Sequence, residues 1–179
     1  MLGYTRLDFI LPYTKYLFRE VGERRLKVLD YGGGVSDIGL YFALLGHEVT
    51  LVELNTAKPQ FTKKRFEKRG GSINLKLVNS TEVIPNLDCY DVIIATEILE
   101  HFRKPIDLIN TFYNHLNKEG FLLNSLGSEF ERERGGDHLD ESFEEGNSRR
   151  YFSGNGHSFI TTVCSSTNTR VWSSPFAPE

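Results

Sequence analysis

Leu26-Lys27-Val28-Leu29-Asp30-Tyr31 runs directly into Gly32-Gly33-Gly34, and this junction decides the fold. The first six residues have the length and apolar character of a buried strand. The glycines let the chain turn sharply where side chains would obstruct it. Residues 37–45 then read as a helix that Gly46 closes. Strand, glycine turn and helix in that order form the first unit of a parallel α/β sheet, because parallel strands need a crossover and a helix supplies it.

The pattern recurs on the C-terminal side. Residues 48–53 read as a second strand, 57–68 as a basic helix, Gly70-Gly71 as a turn and 73–78 as a third strand. Beyond Pro85, Asp91-Val92-Ile93-Ile94-Ala95 predicts a fourth strand, residues 98–116 one or two helices broken near Pro105, and residues 120–124 a fifth strand. Two late β-rich stretches, 158–163 and 169–173, flank a polar link and predict an antiparallel hairpin. On the N-terminal side, apolar residues recur at helical spacing over 7–21, and Gly22 ends that helix. The predicted fold is α/β, a doubly wound, mainly parallel seven-stranded sheet with a C-terminal antiparallel hairpin. It forms a single domain over residues 1–179, in which residues 1–24, with Tyr4, Tyr13, Tyr16 and Phe18, are expected to make a helical lid region over a ligand pocket.

Composition narrows the functional classes. A chain of 179 residues, 39% hydrophobic and 25% charged, has the balance of one globular domain. Its formal charge of −3 gives no global basic field for a polyanion, so nucleic acid is neither favoured nor excluded. Cys89 and Cys164 lie far apart without CxxC spacing and read as half-buried reduced thiols. No apolar run approaches the roughly 20 residues a membrane span needs, and the first residues lack a signal pattern. The expectation is a cytoplasmic protein without a membrane partner, of unknown oligomeric state.

A glycine turn after a buried strand brings backbone N–H groups and a helix N-terminus close to a ligand. Asp30-x-Gly32-x-Gly34-x-Ser36 supplies that arrangement, and Glu53 closes the next apolar strand about 20 residues on, where a carboxylate can accept from both ribose hydroxyls. The stretch from Val28 to Gly34 followed by Glu53 resembles motif I and the post-motif acid of class I S-adenosylmethionine-dependent methyltransferases. Val78-Asn79-Ser80 resembles that family's third-strand end, which faces the adenine, and residues 91–101 resemble its fourth-strand motif. The resemblance implies S-adenosylmethionine as cofactor, with Asp30, Gly32, Gly33, Gly34, Glu53, Leu54, Asn79, Ser80 and Thr96 around it. Two positions depart from the family pattern: Ser36 stands where many members have a third glycine, and Asn79 where many have aspartate. A nicotinamide enzyme fits less well, since such enzymes commonly continue into a second substrate domain.

Thr96-Glu97-Ile98-Leu99-Glu100-His101 follows the fourth strand. If helical, it places Glu97, Glu100 and His101 at i, i+3 and i+4 on one face, where two carboxylates and an imidazole could bind Mg²⁺ or Mn²⁺. This Glu-x-x-Glu-His element resembles that of ubiquinone-pathway O-methyltransferases and small-RNA 2′-O-methyltransferases, and the resemblance implies a metal on the acceptor hydroxyls. His138 or Asp137 would add a further ligand. Without a metal, His101 or His138 would serve as general base. His47, His115 and His157 read as structural. Arg132, Arg134, Arg149 and Arg150 could hold an anionic acceptor, although Glu129, Glu131, Glu133, Glu144 and Glu145 make the surface mixed. The leading reading is O-methylation of a small-molecule acceptor, more than RNA. The alternatives are an RNA 2′-O-methyltransferase and a non-catalytic S-adenosylmethionine-binding protein.

Overall fold

The computed structural model describes residues 17–18, 22–80, 84–125, 160–164 and 168–172. The strands are β1 (Lys27–Tyr31), β2 (Glu48–Leu54), β3 (Asn74–Val78), β4 (Tyr90–Thr96), β5 (Leu116–Ser125), β6 (Ile160–Cys164) and β7 (Asn168–Trp172). The helices are α1 (Asp37–Leu44), α2 (Ala57–Lys68) and α3 (Pro105–Asn114), with a 3₁₀ turn at Leu99–His101. Strand order is β3-β2-β1-β4-β5-β6-β7. Pairing is parallel from β3 to β5 and antiparallel from β5 to β7.

β4 explains why the sheet must be covered on both sides. All seven of its residues are buried, so apolar side chains leave both faces and each face needs a helix. On one face Leu29, Tyr31, Ile93 and Leu122 pack with Leu108, Ile109 and Phe112 of α3. On the other, Val28, Val92, Ile94 and Leu123 pack with Ile38 and Phe42 of α1. The period-two alternation along β1, β4 and β5 sorts these two sets. Pro105 begins α3, where its missing N–H is not needed, so the break expected near that residue is a helix start.

The amino edge of the sheet is tied by one carboxylate. Asp91 accepts from the Lys27 backbone N–H at 2.8 Å, from Arg24 at 3.0 Å and from Asn117 at 3.0 Å, which joins the starts of β1, β4 and β5. Burial alone would raise its pKa, but these donors and the Arg24 charge outweigh burial and hold it below the usual carboxylate range. His47 lies at the same edge and accepts from the Leu26 N–H through Nδ1 at 3.3 Å, a structural role. Burial, then the nearby Arg25 charge, lowers its pKa.

Gly22 has φ 68° and its N–H bonds the Phe18 carbonyl. Phe18 stacks on His47 and packs on Phe42. That places it at the amino edge of the sheet, away from the glycine turn, so Phe18 is not a pocket aromatic. Tyr4, Tyr13 and Tyr16 lie outside the described residues. Cys89 is an exposed free thiol, not a half-buried one. No helix among the described residues is long and apolar enough to cross a membrane.

Candidate functional site

β1 pairs with β2 on one side and β4 on the other, so the crossovers leave it in opposite directions and open a crevice above the carboxyl ends of β1 and β4. A cavity of about 360 Å³ lies there, lined by Asp30, Gly33, Gly34, Val35, Asp37, Ile38, Lys58 and Thr96. Asp30, Gly33, Gly34 and Thr96 were singled out from the sequence. Val35, Asp37, Ile38 and Lys58 were not, because nothing in the sequence shows which way the loop after the glycines and the first turn of α2 face.

The glycine turn is specified by close approach. Gly32 has φ +68°, and a Cβ there would lie 2.5 Å from the Ile98 side chain. A Cβ on Gly33 would collide with the Asp30 carboxylate. Gly34 has φ +61° with open space around the Cβ position, so its constraint is conformational. Ser36 also adopts a left-handed conformation, φ 54°, which a non-glycine residue enters at a cost. It is wholly buried, and its Oγ donates to Asp30 Oδ2 at 2.6 Å. The neighbouring Gly39 accommodates this: a Cβ there would collide with Ser36 Oγ and lie 3.2 Å from Val49. Ser36 thus makes a side-chain bond to Asp30 that a glycine at this position could not make.

Glu53, at the end of β2, reaches back to the loop. Its Oε2 accepts from the Gly34 N–H at 2.7 Å and its Oε1 from the Leu54 N–H at 2.9 Å. A carboxylate offers about four lone-pair sites, so acceptor capacity remains on both oxygens. Asn79 sits at the end of β3, where its Oδ1 accepts weakly from Asn55 Nδ2 at 3.4 Å. The neighbouring Asn55 N–H bonds the Val78 carbonyl, which sets the β2 and β3 ends side by side. α2 braces the loop from outside: Thr62 Oγ1 shares its proton between the Lys58 carbonyl at 3.0 Å and the Gly34 carbonyl at 3.2 Å, and Arg65 donates to the Val35 carbonyl at 2.8 Å and pairs with Asp37.

The segment after β4 departs from the sequence expectation. Glu97 has φ 53°, Ile98 has φ −133°, and only Leu99–His101 form a 3₁₀ turn. Glu97 is therefore not on one helical face with Glu100 and His101. The left-handed residue instead turns the chain so that Ile98 rests on Gly32. Among the described residues no group of three or more His, Cys, Asp or Glu side chains could hold a metal ion. His138 and Asp137 lie outside the described residues, as do Arg132, Arg134, Arg149, Arg150 and His157. A further residue was not singled out from the sequence as a site residue. Asn124 of β5 is 5% exposed, opposite Ala95 near the carboxyl edge, and among the described residues its Oδ1 has no hydrogen-bond partner. A lone polar residue in an apolar run gives no periodic signal.

These features point to a family. Residues 4–167 match the family described as a methyltransferase domain. The chain belongs to that family. Among curated relatives of this family member, a tRNA 5-carboxymethoxyuridine methyltransferase from Escherichia coli (strain K12) is 29% identical over 106 residues, 58% of this chain and 41% of that protein. A ubiquinone biosynthesis O-methyltransferase from Actinobacillus pleuropneumoniae serotype 5b (strain L20) is 28% identical over 127 residues, 68% of this chain and 52% of that protein. The chain thus spans about half the length, or less, of these relatives. Among solved structures, monomeric WbdD superposes with a TM-score of 0.61 at 19% identity, covering 81% of this chain and 37% of that one. At such identity the likeness concerns the fold.

Proposed function

We propose that this methyltransferase-family chain binds S-adenosylmethionine above β1 and catalyses methyl transfer to an oxygen of a small-molecule acceptor. The observation that carries the reading is the cavity at the carboxyl edge, with Glu53 already oriented beside it by the Gly34 and Leu54 N–H groups. Glu53 would accept from the ribose hydroxyls, Asn79 and Ser80 would face the adenine with Leu54 beside it, and the glycine loop with Asp30 and Thr96 would hold the remainder. The fit rests on the close-packed turn, where added Cβ atoms at Gly32 and Gly33 would collide with Ile98 and Asp30. The bound cofactor supplies an electrophilic methyl group on a sulfonium centre. The chain's task is to align the acceptor in line with it and take up the acceptor's proton. His101, half-buried in the turn after β4, is the described candidate for that proton, and His138 the second. No step is routed through a metal, because Glu97 lies off the helical face that would have gathered the ligands.

The ubiquinone-pathway relatives favour a small hydroxylated acceptor, and the tRNA relatives favour a second reading with RNA as acceptor. Calorimetric titration of S-adenosylhomocysteine tests the cofactor part: saturable one-to-one binding is expected, and its absence would sink the proposal. Turnover on hydroxylated small molecules but not on tRNA supports the first acceptor reading, and the reverse supports the second. Binding with no turnover on either leaves a non-catalytic binding protein.

A further inference from the structure

We propose that the exposed face of α2 is a docking surface for a single-stranded polynucleotide, lying beside the cofactor cavity. Between Lys58 and Arg69 the chain carries six cations and one carboxylate, although its net charge is −3. Helical spacing of three and four residues puts Lys58, Phe61, Lys64, Arg65 and Lys68 on one face, with Gln60, Lys63 and Glu67 turned away from it. Contacts fix where that face points. Lys58 lines the cavity and Arg65 bonds the Val35 carbonyl, so the stripe borders the glycine loop and runs outward from it.

Phe61 lies in the middle of this stripe and is 58% exposed, while Pro59, Thr62 and Phe66 supply the buried side of the helix. Lys58, Lys64 and Lys68 on this face are exposed, and none is in an ion pair among the described residues. An aromatic platform flanked by unneutralised cations is what single-stranded nucleic acid requires, since phosphates meet the cations and a base stacks on the ring. From Lys58 to Lys68 the stripe is about 15 Å long, the length of roughly four stacked nucleotides. A membrane surface fits less well, because a helix lying in the interface buries a whole apolar face and α2 has spent its own on the protein core. This surface does not depend on the methyl-transfer reading and does not decide the methyl acceptor.

The test is fluorescence anisotropy of the full chain with end-labelled oligouridylate and oligodeoxythymidylate of about twelve nucleotides, at salt from about 50 to 200 mM. Salt-sensitive binding is expected. Lys68→Glu should weaken it at least about fivefold and flatten the salt dependence, while Lys63→Glu, the same charge change off the face, should cost less than about twofold. Phe61→Ala should also cost at least about fivefold, with the salt dependence kept. Tighter binding of the RNA strand assigns recognition of the ribose hydroxyl, and equal binding assigns the phosphates and bases alone. S-adenosylhomocysteine titration of each variant confirms an intact fold. The inference is overturned if the wild-type chain binds neither strand while binding S-adenosylhomocysteine, if Lys63→Glu and Lys68→Glu are equally harmful, or if Phe61→Ala has no effect. Strand binding without S-adenosylhomocysteine binding would instead remove the methyl-transfer reading and leave this one standing.

Discussion

Ser36 and Gly39 share one small volume above Asp30, and their two side-chain positions cannot both be filled. Ser36→Ala keeps the left-handed strain and removes the Ser36 hydrogen bond to the Asp30 carboxylate, so it should destabilise by about 1–3 kcal/mol. Ser36→Gly also loses that bond but relieves the backbone, so it should cost less by about 1 kcal/mol. Gly39→Ala should be worse than either, and Ser36→Gly should rescue it in part, because the Asp30 and Val49 atoms still crowd the new methyl. Denaturant melts of the double-mutant cycle check this; strictly additive effects would contradict the shared volume. Glu53→Ala is a different case. If Glu53 accepts from the ribose as proposed, this variant should lower S-adenosylhomocysteine affinity about ten- to a hundredfold. Asn124→Leu should raise stability by about 1 kcal/mol, since it removes a buried acceptor without a partner. A loss of turnover in the same variant would show that the acceptor is kept for function.

At the scale of elements, the amino edge predicts acid behaviour. Asp91 has its folded pKa held below the unfolded value of about 3.9, so the stability it contributes is fully present above that pH and is lost as pH falls through the lower folded value. Asp91→Asn should therefore be less stable than wild type at neutral pH, with the gap closing below about pH 4. Thermal melts across that range check it, and a pH-independent gap would show that the carboxylate's charge is not what ties β1, β4 and β5. This tie was not legible in the sequence, because Asp91, Lys27 and Asn117 meet only once the strands pair. β1, β2 and the glycine turn were legible, since each is a short apolar run with a local stop. The helix expected across residues 97–101 was not formed, because Glu97 enters the left-handed region and Ile98 packs on Gly32. That is a tertiary contact overriding a local period. Phe18 was misplaced for the same reason: aromatic spacing shows a face but not which end of the sheet receives it.

Over the whole molecule, the two ends of the parallel sheet do different work. The amino edge carries the Asp91 and His47 ties, and the carboxyl edge carries the cavity, the positive-φ residues Gly32, Gly34, Ser36 and Glu97, and the approach of α2. Bound S-adenosylhomocysteine should raise the melting temperature in proportion to the logarithm of its concentration, and Gly32→Ala should abolish that rise by displacing Ile98 or the turn. Scanning calorimetry with and without ligand distinguishes lost binding from lost folding. α2 also joins two regions that would otherwise be independent, because Arg65 grips the Val35 carbonyl and Asp37 at the loop-side edge of the same face from which Lys64 and Lys68 point outward. Anything that engages the outer side works against the same helix that steadies the loop. Thermodynamic reciprocity then fixes the outcome in both directions: whatever factor a polynucleotide on α2 imposes on cofactor affinity, the cofactor must impose on the polynucleotide.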